Sequence, residues 1–173
     1  RLDGPAQVSL RGCVTRHGLR LPDMTIAAGE AVALMGPSGA GKTSVLRMMA
    51  GLDLPTQGHV MVAGHMLSAA LADGWRARIG WMPQRVAMLN TSLRGNLTLG
   101  RPGDPGPALE GAAAQAIVQG LPRGLATRLG ETGGGLSGGE VRRMTLARAL
   151  FGKPDLILAD EPTADLDPVT AKA

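Results

Sequence analysis

The chain has 173 residues, 44% of them hydrophobic, enough for one sizeable core or a core with a small lobe. Its net charge of +4 comes from eighteen basic residues spread along the whole length, and with 2% aromatics and no Tyr this reads as a solvated surface rather than a base-stacking nucleic-acid groove. The lone Cys13 excludes an internal disulfide or a Cys-rich zinc site, no run of eighteen apolar residues spans a bilayer, and Arg1-Leu2-Asp3-Gly4 opens no secretory signal.

In chain order, residues 8–10 and Met24–Ile26 read as short strands, and 28–30 as a turn into an apolar strand at 31–35. A helix is expected over 43–50, ending at Gly51, and a strand over 58–64 between glycines. The run 78–84 reads as a strand cut short by Pro83, after which strand character is lost until Asp155. The stretch between is expected to be a helical insertion. Its Pro- and Gly-rich part, 101–107, is a loop by composition, and the Ala-rich part, 108–120, a helix. Val141, Met144, Ala147 and Leu150 mark a helical stripe that stops before Pro154, and 156–159 reads as an apolar strand. Cys13 reads as a small hydrophobe, and nothing marks His59 or His65 as ligands.

Three constellations carry chemistry. Gly36-Pro37-Ser38-Gly39-Ala40-Gly41-Lys42-Thr43 matches the phosphate-binding pattern G-x-x-x-x-G-K-[ST] at every fixed position. Its glycines let main-chain N–H groups turn inward around a phosphate, Lys42 adds a mobile charge, Thr43 a hydroxyl for Mg2+, and Ser44 continues the helix start. The second is Asp160-Glu161, lifted by the strand before it to the carboxyl edge of a parallel sheet. There Asp160 can reach a Mg2+ shell through water and Glu161 can polarise an attacking water. The third is Leu136-Ser137-Gly138-Gly139-Glu140, where Ser137 and the two glycines open a helix. That arrangement serves either as a plain serine cap or as a second anion site.

With these motifs in this order, together with Gln84 after Trp81-Met82-Pro83 and Ala164-Asp165-Leu166-Asp167 after the acids, the chain resembles the ATP-binding cassette family over essentially its whole length. The resemblance implies an α/β fold: a P-loop NTPase (RecA-like) core with an antiparallel β subdomain and an inserted α-helical signature subdomain. Residues 1–84 would form the β subdomain and phosphate-loop core, 85–150 the helical subdomain, and 151–173 the acidic strand and the interface loop. It also implies a sandwich dimer with a second cassette, identical or not. ATP would lie between the phosphate loop of one copy and the signature Ser137 to Glu140 of the other. Gln84 would touch Mg2+ and the attacking water, and Asp165 and Asp167 would line the loop crossing the dimer interface.

The segment from Met88 to Leu97, with 121–125 and 129–133, resembles the exporter branch, in which Glu131 would contact a transmembrane domain. That places the chain at the cytoplasmic face of a bacterial inner membrane, without a nucleic-acid partner. The style around 159–164 is similar to heterodimeric cysteine and glutathione exporters. An importer or lipid-extrusion ATPase subunit, and a soluble cassette ATPase, stand as alternatives, and the transported substrate is not legible.

The chain departs from the family pattern in three places. Glu140 stands where glutamine is usual. No aromatic precedes the phosphate loop to stack on adenine, so Arg16 or His17 is left to cover the base. The chain also stops at Ala173, before the family's switch histidine, so the segment is expected to be a piece of a longer polypeptide with poor hydrolysis of its own.

Overall fold

A computed structural model describes residues 2–130 and 135–162. The chain divides into two compact units, 1–79 and 80–173.

The first unit is built on a four-stranded sheet. Its strands are β1 (Val8–Val14), β2 (Met24–Ile26), β3 (Gln57–Val62) and β4 (His65–Met66), in the spatial order β2-β1-β3-β4. All pairings are antiparallel, with Val8 opposite both Ile26 and Val62, and Leu10 opposite Met24 and Val60. Alternation along β1 sends Val8 and Leu10 into the core with no exposed area. The β1–β3 register shifts between Arg11 and Val14. At that shift Gly58 adopts φ +77, and a Cβ there would stand 2.3 Å from the Gly12 carbonyl, so glycine is the residue that permits the bulge. Ala63 and Gly64 form the two-residue turn into β4, both at positive φ, matching the twist a tight hairpin requires.

Two helices complete this unit. Helix α1 (Lys42–Met49) buries Val45, Leu46, Met48 and Met49. Helix α2 (Ala69–Arg76), which the sequence reading did not separate from its surroundings, carries Trp75. That indole is fully buried and donates its Nε1–H to the Met49 carbonyl at 2.6 Å, so a large apolar ring enters the core without stranding its polar atom. The buried Cys13 thiol donates to the His59 carbonyl at 3.2 Å and acts as a core residue, its pKa raised mainly by burial.

One expectation fails here. Residues 31–35 form no strand: no ladder reaches them among the described residues, Met35 is 92% exposed and Val32 44%. An apolar run becomes a strand only with a partner to take its main-chain bonds and bury its side chains, and the four strands of this unit pair elsewhere.

The second unit begins in β5 (Ile79–Met82) and ends in β6 (Leu156–Ala159), which pair as a two-stranded sheet. The Asp160 N–H donates to the Met82 carbonyl at 2.9 Å, so the carboxyl ends of both strands lie side by side, the parallel arrangement. Between them run α3 (Leu93–Thr98), α4 (Gly106–Gly111), α5 (Gln115–Gly120), a short 3-10 turn (Gly124–Ala126) and α6 (Gly138–Leu150). Their core gathers Met88, Leu93, Leu97, Leu109, Ile117 and Leu129 around Val141, Met144 and Ala147 of α6.

The single helix expected over 108–120 is two helices, α4 and α5, broken at 112–114 with Ala113 at φ +49. Alanine propensity alone favours continuation. The break instead buries Ala112, Ala114 and Ile117 on one core, and tertiary burial outweighs propensity. The loop at 85–92 is fixed by Asn96, which is 1% exposed: its Oδ1 accepts from the Leu89 N–H, and its Nδ2 donates to the Leu89 carbonyl. Arg148 of α6 donates to the Asn96 and Ala87 carbonyls at 2.7 and 3.1 Å, and burial lowers its pKa below the usual arginine value.

Candidate nucleotide-binding site

The phosphate loop lies in the first unit between the unpaired run 31–35 and α1. Gly36, Gly39 and Gly41 all have positive φ, at 156, 81 and 92°, so consecutive peptide groups turn as a side chain would resist. Gly41 has a second reason: a Cβ there would lie 2.8 Å from Leu19 Cδ2. As the residue before α1, it offers no side-chain cap, and the first turn carries no acid. The helix start thus presents main-chain donors and positive dipole toward an anion without internal competition. Gly36, Pro37, Ser38, Gly39 and Ala40 are exposed. The Lys42 ammonium donates to the Gly36 and Pro37 carbonyls at 2.8 and 2.9 Å, which draws its charge back over the loop it serves.

Leu19 belongs to a turn beside this loop, closed by the Thr15 N–H to the Leu19 carbonyl at 2.9 Å. The turn carries Arg16 and His17, whose Nε donates to Nε2 at 3.1 Å; both are exposed. Asp53 takes a bidentate grip from Arg47 at 2.7 and 3.1 Å. This holds its carboxyl below the usual range, with smaller help from the charges of Arg16 and His17.

In the second unit the acid pair sits where β5 and β6 run out together. Asp160 is 4% exposed, and Glu161 follows it at φ +50. The Gln84 amide donates from Nε2 to Glu161 Oε2 at 2.9 Å, uniting two residues 77 positions apart that the sequence singled out for the same chemistry. Arg142 of α6 donates to the Glu161 carbonyl. The sequence reading missed this contact, for a basic residue within a helical stripe carries no motif.

Ser137 caps α6, and the structure adds what occupies it. Its N–H and its hydroxyl both donate to Glu140 Oε2 at 2.8 Å, and the Glu140 N–H donates back to Ser137 Oγ at 3.4 Å. This is a reciprocal capping box, and these bonds from Ser137 hold the Glu140 carboxyl below its ordinary pKa. Gly138 and Gly139 form the first turn, and a Cβ on either would meet nothing within 4 Å, so the tip of α6 is open. Asp165, Asp167 and Glu131 lie outside the described residues.

The profile of the ABC transporter family matches residues 19–164, a stretch that includes the phosphate loop, Gln84, Ser137 and the acid pair. The chain belongs to the ABC transporter family. An ATM1-type heavy metal exporter of Novosphingobium aromaticivorans is 36% identical over 155 residues, covering 87% of this chain and 25% of that protein. A leukotoxin export ATP-binding protein of Aggregatibacter actinomycetemcomitans is 36% identical over 84% of this chain and 21% of its own length. An ATP-dependent lipid A-core flippase of Cupriavidus pinatubonensis is 32% identical over 88% and 27%. The fold superposes on a bacterial Atm1-family ABC exporter with ATP bound at a TM-score of 0.87 and 32% identity, covering 97% of this chain and 31% of that one. The chain thus spans about a quarter of the length of the curated relatives it matches. The mixed α/β fold is that of an ABC ATPase domain, and ATP is the ligand this family binds.

Proposed function

We propose that these residues form the ATP-binding and ATP-hydrolysing motor domain of a bacterial ABC exporter, coupling ATP-driven closure of two cassettes to export. The carrying observation is the Gln84–Glu161 bond beside buried Asp160 at the ends of β5 and β6. It supports the reading because two polar side chains brought from distant sequence onto one strand edge have no packing task there. In this reading Gly36 to Thr43 with Ser44 hold the triphosphate, Lys42 leaving its own loop carbonyls for the phosphate oxygens. Glu161 orients and polarises the attacking water, and Gln84 holds that carboxylate in place. Ser137, Gly138, Gly139 and Glu140 meet the nucleotide of a second cassette, and Asp165 lines the interface.

In this reading the Thr43 hydroxyl, the Gln84 amide oxygen and the Asp160 carboxylate, all hard oxygen donors of the kind Mg2+ takes, would hold the ion. Bound there, Mg2+ would neutralise charge on the transferring phosphoryl group.

Among the described residues no helix is long and apolar enough to cross a membrane. Likeness to export proteins supports a transmembrane domain as partner and a place for the cassette at the cytoplasmic face of the inner membrane. Likeness to a lipid A-core flippase keeps lipid extrusion as a second reading of the cargo.

The test is nucleotide binding by calorimetry and phosphate release in the full polypeptide, with Lys42→Ala alongside. Removing one charge-assisted phosphate contact costs about 2–3 kcal/mol, roughly 30- to 150-fold in ATP affinity. Unchanged ATP affinity in the variant, or no ATP hydrolysis by the parent, contradicts the reading.

A further inference from the structure

Arg142 is 6% exposed, on the second turn of α6, and its guanidinium donates to the main-chain carbonyl of Glu161. Glu161 is not glycine, yet stands at φ +50, a backbone state that costs a side-chain-bearing residue energy and persists only where surroundings impose it. Among the described residues two side chains hold it: Arg142 on the carbonyl and Gln84 on the carboxylate. The first comes from the helix whose other end is the Ser137 capping box. One continuous helix therefore holds the tip that meets one nucleotide and the hook that sets the carboxylate serving another.

We propose that Arg142 is a positioning residue that makes the readiness of Glu161 depend on α6, and so on occupancy at Ser137. The proposal rests on the motor reading above. In a sandwich, the nucleotide at Ser137 belongs to the partner's phosphate loop, so Arg142 links the two hydrolysis sites of the dimer through a single side chain. α6 is one unbroken helix packed on one core, so its Ser137 cap and Arg142 are carried by the same element.

The test is steady-state ATP hydrolysis by the full polypeptide carrying Arg142→Met or Arg142→Lys, with melting curves for each. Methionine fills the buried space without a donor, whereas lysine restores one donor to the Glu161 carbonyl. The expected result is a fall in kcat of about 10- to 100-fold for R142M, the scale of a displaced reacting group, with KM for ATP unchanged. The Hill coefficient for ATP is expected above 1 in the parent and 1 in R142M, a parent without cooperativity also counting against the link between sites, and R142K should recover most of the rate. Loss of melting temperature without the kcat and Hill effects would show a merely structural arginine and overturn the proposal. So would equal rates in R142M and the parent, or an R142K no better than R142M. Lys42→Ala separates the two claims: if it leaves hydrolysis intact the motor reading fails, whereas if it abolishes hydrolysis and R142M does not reduce kcat, only the Arg142 assignment fails.

Discussion

At the scale of single residues, Glu140 is where this chain's chemistry is most its own. Its carboxylate accepts the Ser137 N–H and hydroxyl, so its folded pKa lies below its unfolded value. A group shifted in that direction contributes its full stabilisation above the unfolded carboxylate pKa of about 4.3, and that contribution is lost as pH falls through the folded value. Glutamine keeps an amide oxygen for the same two donors and has no charge to lose. Glu140→Gln is therefore expected to preserve α6 while removing this acid-linked loss of stability, read as a flatter melting temperature below pH 4.5; an acid limb as steep as the parent's contradicts the assignment. The same substitution removes a negative charge from the tip proposed to meet a triphosphate, so ATP should bind a few-fold tighter. Gly36, Lys42, Ser137, Asp160 and Glu161 stood out in the sequence because the chemistry proposed for them demands particular residue types at particular spacings. Arg142 and Arg148 were not legible, because an arginine's partner across the fold leaves no local mark.

At the scale of elements, periodicity served well in α6, where Val141, Met144 and Ala147 all face one core. It served poorly where the neighbour decides. Residues 31–35 have the composition of a buried strand and, Leu34 apart, are exposed, while α2 went unseen although Trp75 is fully buried. The break at 112–114 is the sharpest case, since nothing local tells alanine to leave a helix. Ala113 is exposed and sits at φ +49, a conformation glycine reaches without a Cβ penalty. Ala113→Gly is thus expected to raise stability by about 0.5–1 kcal/mol, measured by chemical denaturation of the full polypeptide. Destabilisation would mean that the conformational entropy glycine adds to the unfolded chain outweighs the strain relieved.

At the scale of the molecule, the proposed motor needs two cassettes, because the nucleotide held by one copy's phosphate loop would be completed by the Ser137 tip of the other. The measurement that tests this most directly is ATP-dependent association of two differently tagged copies of the full polypeptide, in a Glu161→Gln background that slows hydrolysis. One copy carries Lys42→Ala and the other Ser137→Ala. Mixed together, they retain one composite site with both partners intact, whereas either variant alone has a damaged member in every site. The account predicts association on ATP for the mixture and not for either variant alone; a mixture that associates no better than the single variants would contradict it.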